Sequence, residues 1–103
     1  MRLSNDQKKL FRTIGHNLKP IVTVSESGLT EGVIQELNRA FEDHELFKVK
    51  ISVMDRDKKQ ALISELCDGT SSILVHTIGK TALVYRSAKT PNPKLSNIIR
   101  NQQ

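Results

Sequence analysis

The residues of this sequence whose types and spacing could do chemistry are mainly basic. Lys8, Lys9 and Arg12 recur at spacings that share one surface of a helix, and Lys48 and Lys50 alternate along a strand-like run. After residue 70 the basic residues are Lys80, Arg86, Lys89, Lys94 and Arg100, and no acidic residue accompanies them. Clustered positive charge attracts polyanions, because neutralising phosphates releases counterions. The pattern therefore favours contact with a nucleic-acid backbone.

Catalytic and metal chemistry have little support. His16, His44 and His76 fall on three different predicted elements, and Cys67 is the single cysteine. No CxxC or HxxxH spacing occurs, so no zinc site is predicted. The segment GKT at 79–81 is similar to the end of a phosphate-binding P-loop, but the upstream glycine is missing and the context is strand–turn–strand. We expect no catalytic residue, no metal site and no cofactor.

The four aromatic residues do not form a predicted base-stacking platform. Phe11, Phe41 and Phe47 fit core positions, which leaves Tyr85. A nucleic acid would therefore be bound through its backbone and shape more than through stacked bases.

The charge is divided between the ends and the centre of the chain. The net charge is +5; residues 1–20 and 69–103 are basic, whereas residues 21–47 carry six acidic side chains and one basic. The length of 103 residues suits one domain. The sequence has no run of about 20 apolar residues, no secretory signal and no possible intrachain disulfide. We expect a cytoplasmic protein, without a membrane segment, that is monomeric when free.

Hydrophobic periodicity predicts the elements that must position these residues. The expected order is α-β-α-β-α-β-β, giving a four-stranded mixed sheet of the α/β (α+β) class with three helices, packed mainly on one face. The first helix begins at Ser4 in a capping-box pattern and carries an apolar stripe of Leu10, Phe11, Ile14 and Leu18. Later elements are a strand at 21–24 that is buried on both faces, a helix at 30–44, a half-buried strand at 46–53, a helix from Asp55 or Asp57 to about 69, and strands at 71–78 and 81–87. Residues 1–88 form the predicted domain and residues 89–103 a flexible basic tail.

The loop Ser25-Glu26-Ser27-Gly28 joins the first strand to the second helix. Free backbone N–H groups at such a junction commonly bind phosphate. The hydroxyl of Ser25 could donate to a phosphate oxygen, whereas Glu26 would repel it. The loop therefore predicts a weakened phosphate contact, made mainly by Gly28 and its neighbours.

Four segments carry a family resemblance. LSNDQKKLFRTIGHNLKPIVTV, SGLTEGVI, HELFKVKI and VHTIGKTALVYR resemble, in this order, the CRM domain (chloroplast RNA splicing and ribosome maturation), whose stand-alone bacterial form is the YhbY family. The resemblance covers about residues 2–88. It implies a fold similar to the C-terminal domain of translation initiation factor three. It also implies RNA binding, association with precursors of the large ribosomal subunit, and a KH-like backbone-clamping loop at residues 25–28, where Ser25 and Glu26 depart from the family's G-K-x-G pattern.

Two functions follow as expectations. The first is a non-catalytic RNA-binding protein that assists large-subunit assembly by docking on ribosomal RNA. Its expected RNA contacts are Lys8, Lys9, Arg12, His16, Lys19, Ser25, Ser27, Gly28, Lys48, Lys50, Lys80 and Arg86. The alternative is a protein-interaction module that docks a basic ribosomal protein or assembly factor. Its expected surface is the acidic outer face of the second helix, formed by Glu31, Gln35, Glu36, Asn38 and Glu42.

Overall fold

The computed structural model describes residues 3–100, and the side chains of residues 3–98. The elements are α1 (Asn5–Gly15), β1 (Pro20–Val24), α2 (Glu31–His44), β2 (Leu46–Ile51), α3 (Arg56–Thr70), β3 (Ile73–Ile78), β4 (Thr81–Tyr85) and a short α4 (Asn97–Arg100). The predicted order and fold class are confirmed, with α4 added.

Local signals fix the starts of the three long helices. Ser4 caps α1 in a capping box: its hydroxyl accepts from the Gln7 amide at 3.1 Å, and the Gln7 side chain accepts from the Ser4 amide at 2.9 Å. Thr30 caps α2 through the amide of Val33, and Asp55 caps α3. The choice between Asp55 and Asp57 left open by the sequence is thus settled for Asp55.

The strands form one mixed sheet in the order β1-β2-β4-β3. β1 and β2 are parallel because α2 connects them as a crossover, whereas β4 pairs antiparallel with both β2 and β3. The β3–β4 hairpin turns at Gly79, whose φ of +57° suits glycine. β1 and β3 are the edge strands.

The larger core lies between the sheet and α2 and α3. The alternation predicted for β2 is confirmed, because Phe47, Val49 and Ile51 are buried against helix residues such as Phe41 and Leu66. Burial of alternate strand residues places Lys48 and Lys50 on the opposite face of the sheet.

A second, smaller core lies on that opposite face, under α1. Phe11 and Ile14 of α1 pack on Leu46 and Leu83 of the sheet, and the ring of Phe11 lies 4.8 Å from that of Tyr85. The prediction that the helices pack mainly on one face therefore holds for α2 and α3 but is wrong for α1, which covers the other face. The periodicity of α1 shows an apolar stripe but does not say which face of the sheet it covers.

Two burial predictions are wrong, one in α1 and one in β1. Leu10 is 48% exposed, although it was placed in the stripe of α1. Strand β1 is buried on one face only: Val22 and Val24 are in the core, whereas Ile21 and Thr23 are exposed. Ile21 and Thr23 are exposed because α1 packs on β2 and β3 and does not extend over β1, so this half of the face stays open.

The C-terminal segment contacts the domain at the junction of α2 and β2. The buried carboxylate of Glu45 accepts hydrogen bonds from Ser96 Oγ at 2.6 Å and from the Ala88 amide at 3.0 Å. The side-chain amide of Asn97 donates to the carbonyl of Leu46 at 2.6 Å. These contacts differ from the flexible tail expected for 89–103, of which 101–103 lie outside the described residues. The division of the chain at residue 88 stays a prediction.

Candidate nucleic-acid interface

A cleft opens where α1 ends above the uncovered half of the sheet. Its volume is ≈ 230 Å³. Strand register sets its floor, because Pro20 pairs with Lys48, Lys48 with Leu83, and Leu83 with His76 in one row across four strands. The residues that line the cleft are Arg12, Gly15, His16, Pro20, Lys48, His76, Ile78, Thr81 and Leu83. Three predicted RNA contacts from two distant segments, Arg12, His16 and Lys48, therefore meet at one place.

Gly15 allows α1 to approach the sheet closely enough to form this cleft. A Cβ atom at position 15 would lie 2.7 Å from Cδ2 of Leu83, which is a steric clash. The helix ends at Gly15, and the amide of His16, the next residue, donates to the carbonyl of Arg12 at 3.0 Å. A side chain at position 15 would therefore require the buried Leu83 side chain to move.

A shallower groove follows the outer surface of α1. It is lined by Lys9, Arg12, Thr13, His16 and Asn17, with a volume of ≈ 440 Å³. Because Arg12 and His16 line both the groove and the cleft, the two form one continuous depression. We define the basic face by six residues of this depression and the adjoining strand: Lys9, Arg12, His16, Lys48, Lys50 and His76.

Further predicted contacts lie around the basic face. Lys50 is exposed and pairs with Thr81, which follows Lys80 at the tip of the β3–β4 hairpin. The ammonium group of Lys80 lies 3.9 Å from Sδ of Met54. Lys19 is exposed just before β1, and Lys8 is exposed on α1 without lining the groove. Positive charge thus extends from α1 across the open sheet to the hairpin.

Glu26, the acidic residue of the loop at residues 25–28, forms contacts within the protein. Glu26 Oε2 lies 2.8 Å from Lys58 Nζ, and Oε1 accepts from the Met54 amide at 3.3 Å. The hydrogen bond from Lys58, followed by that from the Met54 amide, lowers the pKa of Glu26 below its ordinary value. The carboxylate that was expected to repel phosphate is therefore paired, and it connects this loop to the start of α3.

The backbone of the same loop is a tight turn. The amide of Gly28 donates to the carbonyl of Ser25 at 2.9 Å, and Gly28 has a φ of +77°, which favours glycine. Its amide is therefore engaged inside the turn, although the sequence predicted it as a phosphate donor. Ser25 and Ser27 are exposed beside it. None of these loop residues lines the cleft or the α1 groove.

Arg86 is not brought to the basic face. Its Nη1 donates to Asn38 Oδ1 at 2.9 Å and to the Thr70 carbonyl at 2.8 Å, and its Nη2 donates to the Asn38 carbonyl at 3.2 Å. The guanidinium also lies 4.8 Å from the centre of the Phe41 ring and 3.6 Å from the Glu42 carboxylate. Arg86 thus joins β4 to α2 and α3, and most of its donors are occupied within the fold.

The same network uses two members of the predicted acidic face of α2. Asn38 and Glu42 contact Arg86, whereas Glu31, Gln35 and Glu36 remain exposed. Glu42 is nevertheless exposed as well, so of the predicted surface only Asn38 is partly buried. This surface lies on the side of the sheet opposite the basic face.

The described residues offer little for catalysis. Among residues 3–100, no group of three or more His, Cys, Asp and Glu side chains could hold a metal ion. Burial raises the pKa of the Cys67 thiol, which disfavours the nucleophilic thiolate. No helix in the described part of the chain is long and apolar enough to cross a membrane.

Sequence reasoning missed His76 as a member of the basic face. Strand β3 has a register shift between Leu74 and His76 opposite β4, so simple alternation does not give the side-chain direction there. The sequence indicated only the basic residues of α1 and β2 as members of this face. Only the sheet register shows that His76 lies in their row.

Comparisons with known proteins identify relatives over most of the chain. The CRS1 / YhbY (CRM) domain model matches residues 3–86. A Pseudomonas aeruginosa protein named as a probable RNA-binding protein is 56% identical over 100 residues, covering 97% of this chain and 96% of the relative. A Haemophilus influenzae protein named as an RNA-binding protein is 39% identical over 87 residues, covering 84% and 88%. The solution structure of a hypothetical Staphylococcus aureus protein matches with a TM-score of 0.76 and 32% identity, covering 92% of this chain and 98% of that one.

Proposed function

Because the chain belongs to the CRS1 / YhbY (CRM) domain family, we propose that it is a non-catalytic RNA-binding protein that associates with precursors of the large ribosomal subunit and assists their assembly. It acts in the cytoplasm as a monomer. The RNA-binding names of its relatives and the resemblance found in the sequence support this assignment.

The observation that carries the proposal is the concentration of basic groups at one depression. Arg12 and His16 at the end of α1, Lys48 of β2 and His76 of β3 line one cleft. No acidic residue is among the described residues that line the cleft or the adjoining groove. Such a surface attracts a phosphate backbone, and its affinity depends on salt through the number of phosphates neutralised.

The distribution of the other charges supports a single orientation on RNA. Glu31 and Glu36 are exposed on α2, on the side of the sheet opposite the basic face. An RNA that approached this side would meet like charge, which disfavours docking there. The basic face therefore faces the RNA while α2 points away.

Crosslinking to RNA in growing cells, followed by mapping of the crosslinked sites, tests the function. We expect enrichment on precursor RNA of the large subunit over mature ribosomal RNA. Crosslinks scattered over messenger and transfer RNA would contradict the assembly role. A Lys48→Gln/Lys50→Gln variant should lose the enrichment, whereas the matched variant Arg39→Gln/Arg56→Gln, which removes equal charge outside the basic face, should keep it.

A second candidate is a protein contact through α2. It is favoured by the exposure of Glu31, Gln35 and Glu36 on a face that bound RNA would leave free. A Glu31→Lys/Glu36→Lys variant should then keep its affinity for purified RNA but no longer co-sediment with ribosomal particles. If co-sedimentation is unchanged, this surface is only a solvated helix face.

A further inference from the structure

We propose that the cleft receives one unpaired base of the bound RNA, with the neighbouring phosphates on the basic face. This inference rests on the proposed RNA binding and adds the structural class of the target. The expected target is a helical RNA interrupted by a bulged or looped-out nucleotide, not a continuous duplex.

The size of the cleft selects a single base. At ≈ 230 Å³ it is smaller than the roughly 300–1,000 Å³ of sites that hold drug-sized ligands. One base fits this space, whereas a base pair does not. A base stacked inside an RNA helix cannot enter a cleft in a protein surface, so the occupant must be unpaired.

The lining suits the apolar faces of a base. Pro20, Ile78 and Leu83 contribute apolar side chains to the cleft, and Ile78 is 61% exposed. Covering exposed apolar surface is favourable, and extruded bases are commonly held between apolar side chains. This mode does not need an aromatic platform. It is therefore compatible with the burial of all three phenylalanines in the two cores.

The polar residues around the cleft can contact the phosphate and sugar of the nucleotide and the polar edge of its base. Arg12 and His16 line both the cleft and the α1 groove, so a backbone lying along the groove passes directly beside the cleft. Lys48 stands across from them on β2 and can contact the phosphate on the other side. His76 and Thr81 lie on β3 and β4 and offer polar groups to the edge of the base. The depression thus provides a place for the phosphate, the sugar and the base of one nucleotide.

The test compares two RNA hairpins that share the same stem, one fully paired and one with a single bulged adenosine. We expect the wild-type protein to bind the bulged hairpin about tenfold more tightly, because only this RNA can place an apolar base surface in the cleft. Thr81→Leu adds bulk to the cleft without changing charge, and it should bring the ratio close to one while keeping the affinity for the paired hairpin. Lys50→Gln removes a charge outside the cleft lining, and it should weaken both hairpins equally and keep the ratio.

Each other outcome has a distinct meaning. A wild-type ratio near one, or a preference that survives in folded Thr81→Leu, would overturn the base-binding role of the cleft while leaving RNA binding intact. Failure of the wild-type protein to bind either hairpin in a salt-dependent manner would instead contradict the proposed function.

A spectroscopic measurement on the wild-type protein does not depend on any variant. 2-Aminopurine placed at the bulge should shift its emission to shorter wavelength on binding, as expected for a base that leaves water for an apolar cleft. Unchanged emission would contradict the proposal. Free adenosine monophosphate, added at the concentration at which the hairpin saturates the protein, should not reverse the shift. The reason is that a free nucleotide cannot make the contacts that the RNA backbone makes along the groove. Reversal at equal concentration would identify a free nucleotide as the ligand and overturn the assignment to RNA.

Discussion

Replacement of Arg86 by lysine separates a role in the fold from a role in RNA binding. Arg86 was predicted from the sequence as an RNA contact. In the structure its guanidinium instead donates hydrogen bonds to Asn38 and Thr70 and lies over the ring of Phe41. Lysine keeps the positive charge but has a single nitrogen, so it cannot reach all three acceptors. We expect Arg86→Lys to destabilise the fold and to leave the affinity for RNA unchanged.

The magnitude follows from the contacts that lysine cannot make. Hydrogen bonds to a charged donor contribute about 1.5–3 kcal/mol each, and partial exposure of the network places the loss of two of them at the low end. The Glu42 pair adds little, because it is at the surface at 3.6 Å and survives with lysine. A loss of about 3 kcal/mol corresponds to a fall in Tm of about 12–24 °C for a domain of this size.

The assay is thermal unfolding by circular dichroism, combined with RNA titration well below the Tm. Arg39→Lys is the matched control, because Arg39 is exposed on α2 and the same exchange should leave the Tm unchanged. If Arg86→Lys has the same Tm as the wild type, the contacts of Arg86 do not stabilise the fold. If the folded variant binds RNA several-fold more weakly, Arg86 contacts RNA after all. Either result would refute the reasoning.

Two more predictions concern the contacts that hold the loop and the C-terminal segment. The amide NMR resonance of Met54 should titrate with Glu26 at a pH below the ordinary glutamate value of 4.5, and the shift should vanish in Glu26→Gln. Because the folded-state pKa is lowered, this contact stabilises the fold above the unfolded pKa and is lost as the pH falls through the folded one; a midpoint at or above 4.5 would contradict the pairing. Ser96→Ala removes the hydroxyl that donates to buried Glu45 and should destabilise the fold by about 1–3 kcal/mol, with faster tryptic cleavage after Lys94. Unchanged cleavage would show that the segment is held by other contacts.

The fold could be predicted well where local patterns decide it. The capping box at Ser4, the alternation in β2 and the turn at Gly79 each depend on residues close in sequence, and all three are confirmed. The face on which α1 packs could not be predicted, because an apolar stripe does not identify its partner. The exposure of Ile21 follows from that placement and was therefore missed.

The candidate site was predictable in composition but not in arrangement. Lys48 and Lys50 share a face because strand residues alternate, and this required no tertiary information. The contacts of Arg86 and Glu26 could not be predicted without tertiary information, since their partners Asn38 and Lys58 lie 48 and 32 residues away in sequence. Charge alone cannot distinguish a basic residue that faces solvent from one that links two helices to a strand.

The central claim is that RNA binds on the basic face. It is tested most directly by the salt dependence of binding to large-subunit ribosomal RNA, measured for Lys48→Gln/Lys50→Gln and for Arg39→Gln/Arg56→Gln. Both variants lose two positive charges. The first should reduce the slope of log affinity against log salt concentration by about 1.5, because two phosphate contacts are lost, and the second should leave the slope unchanged. Equal slopes for the two variants would contradict the account.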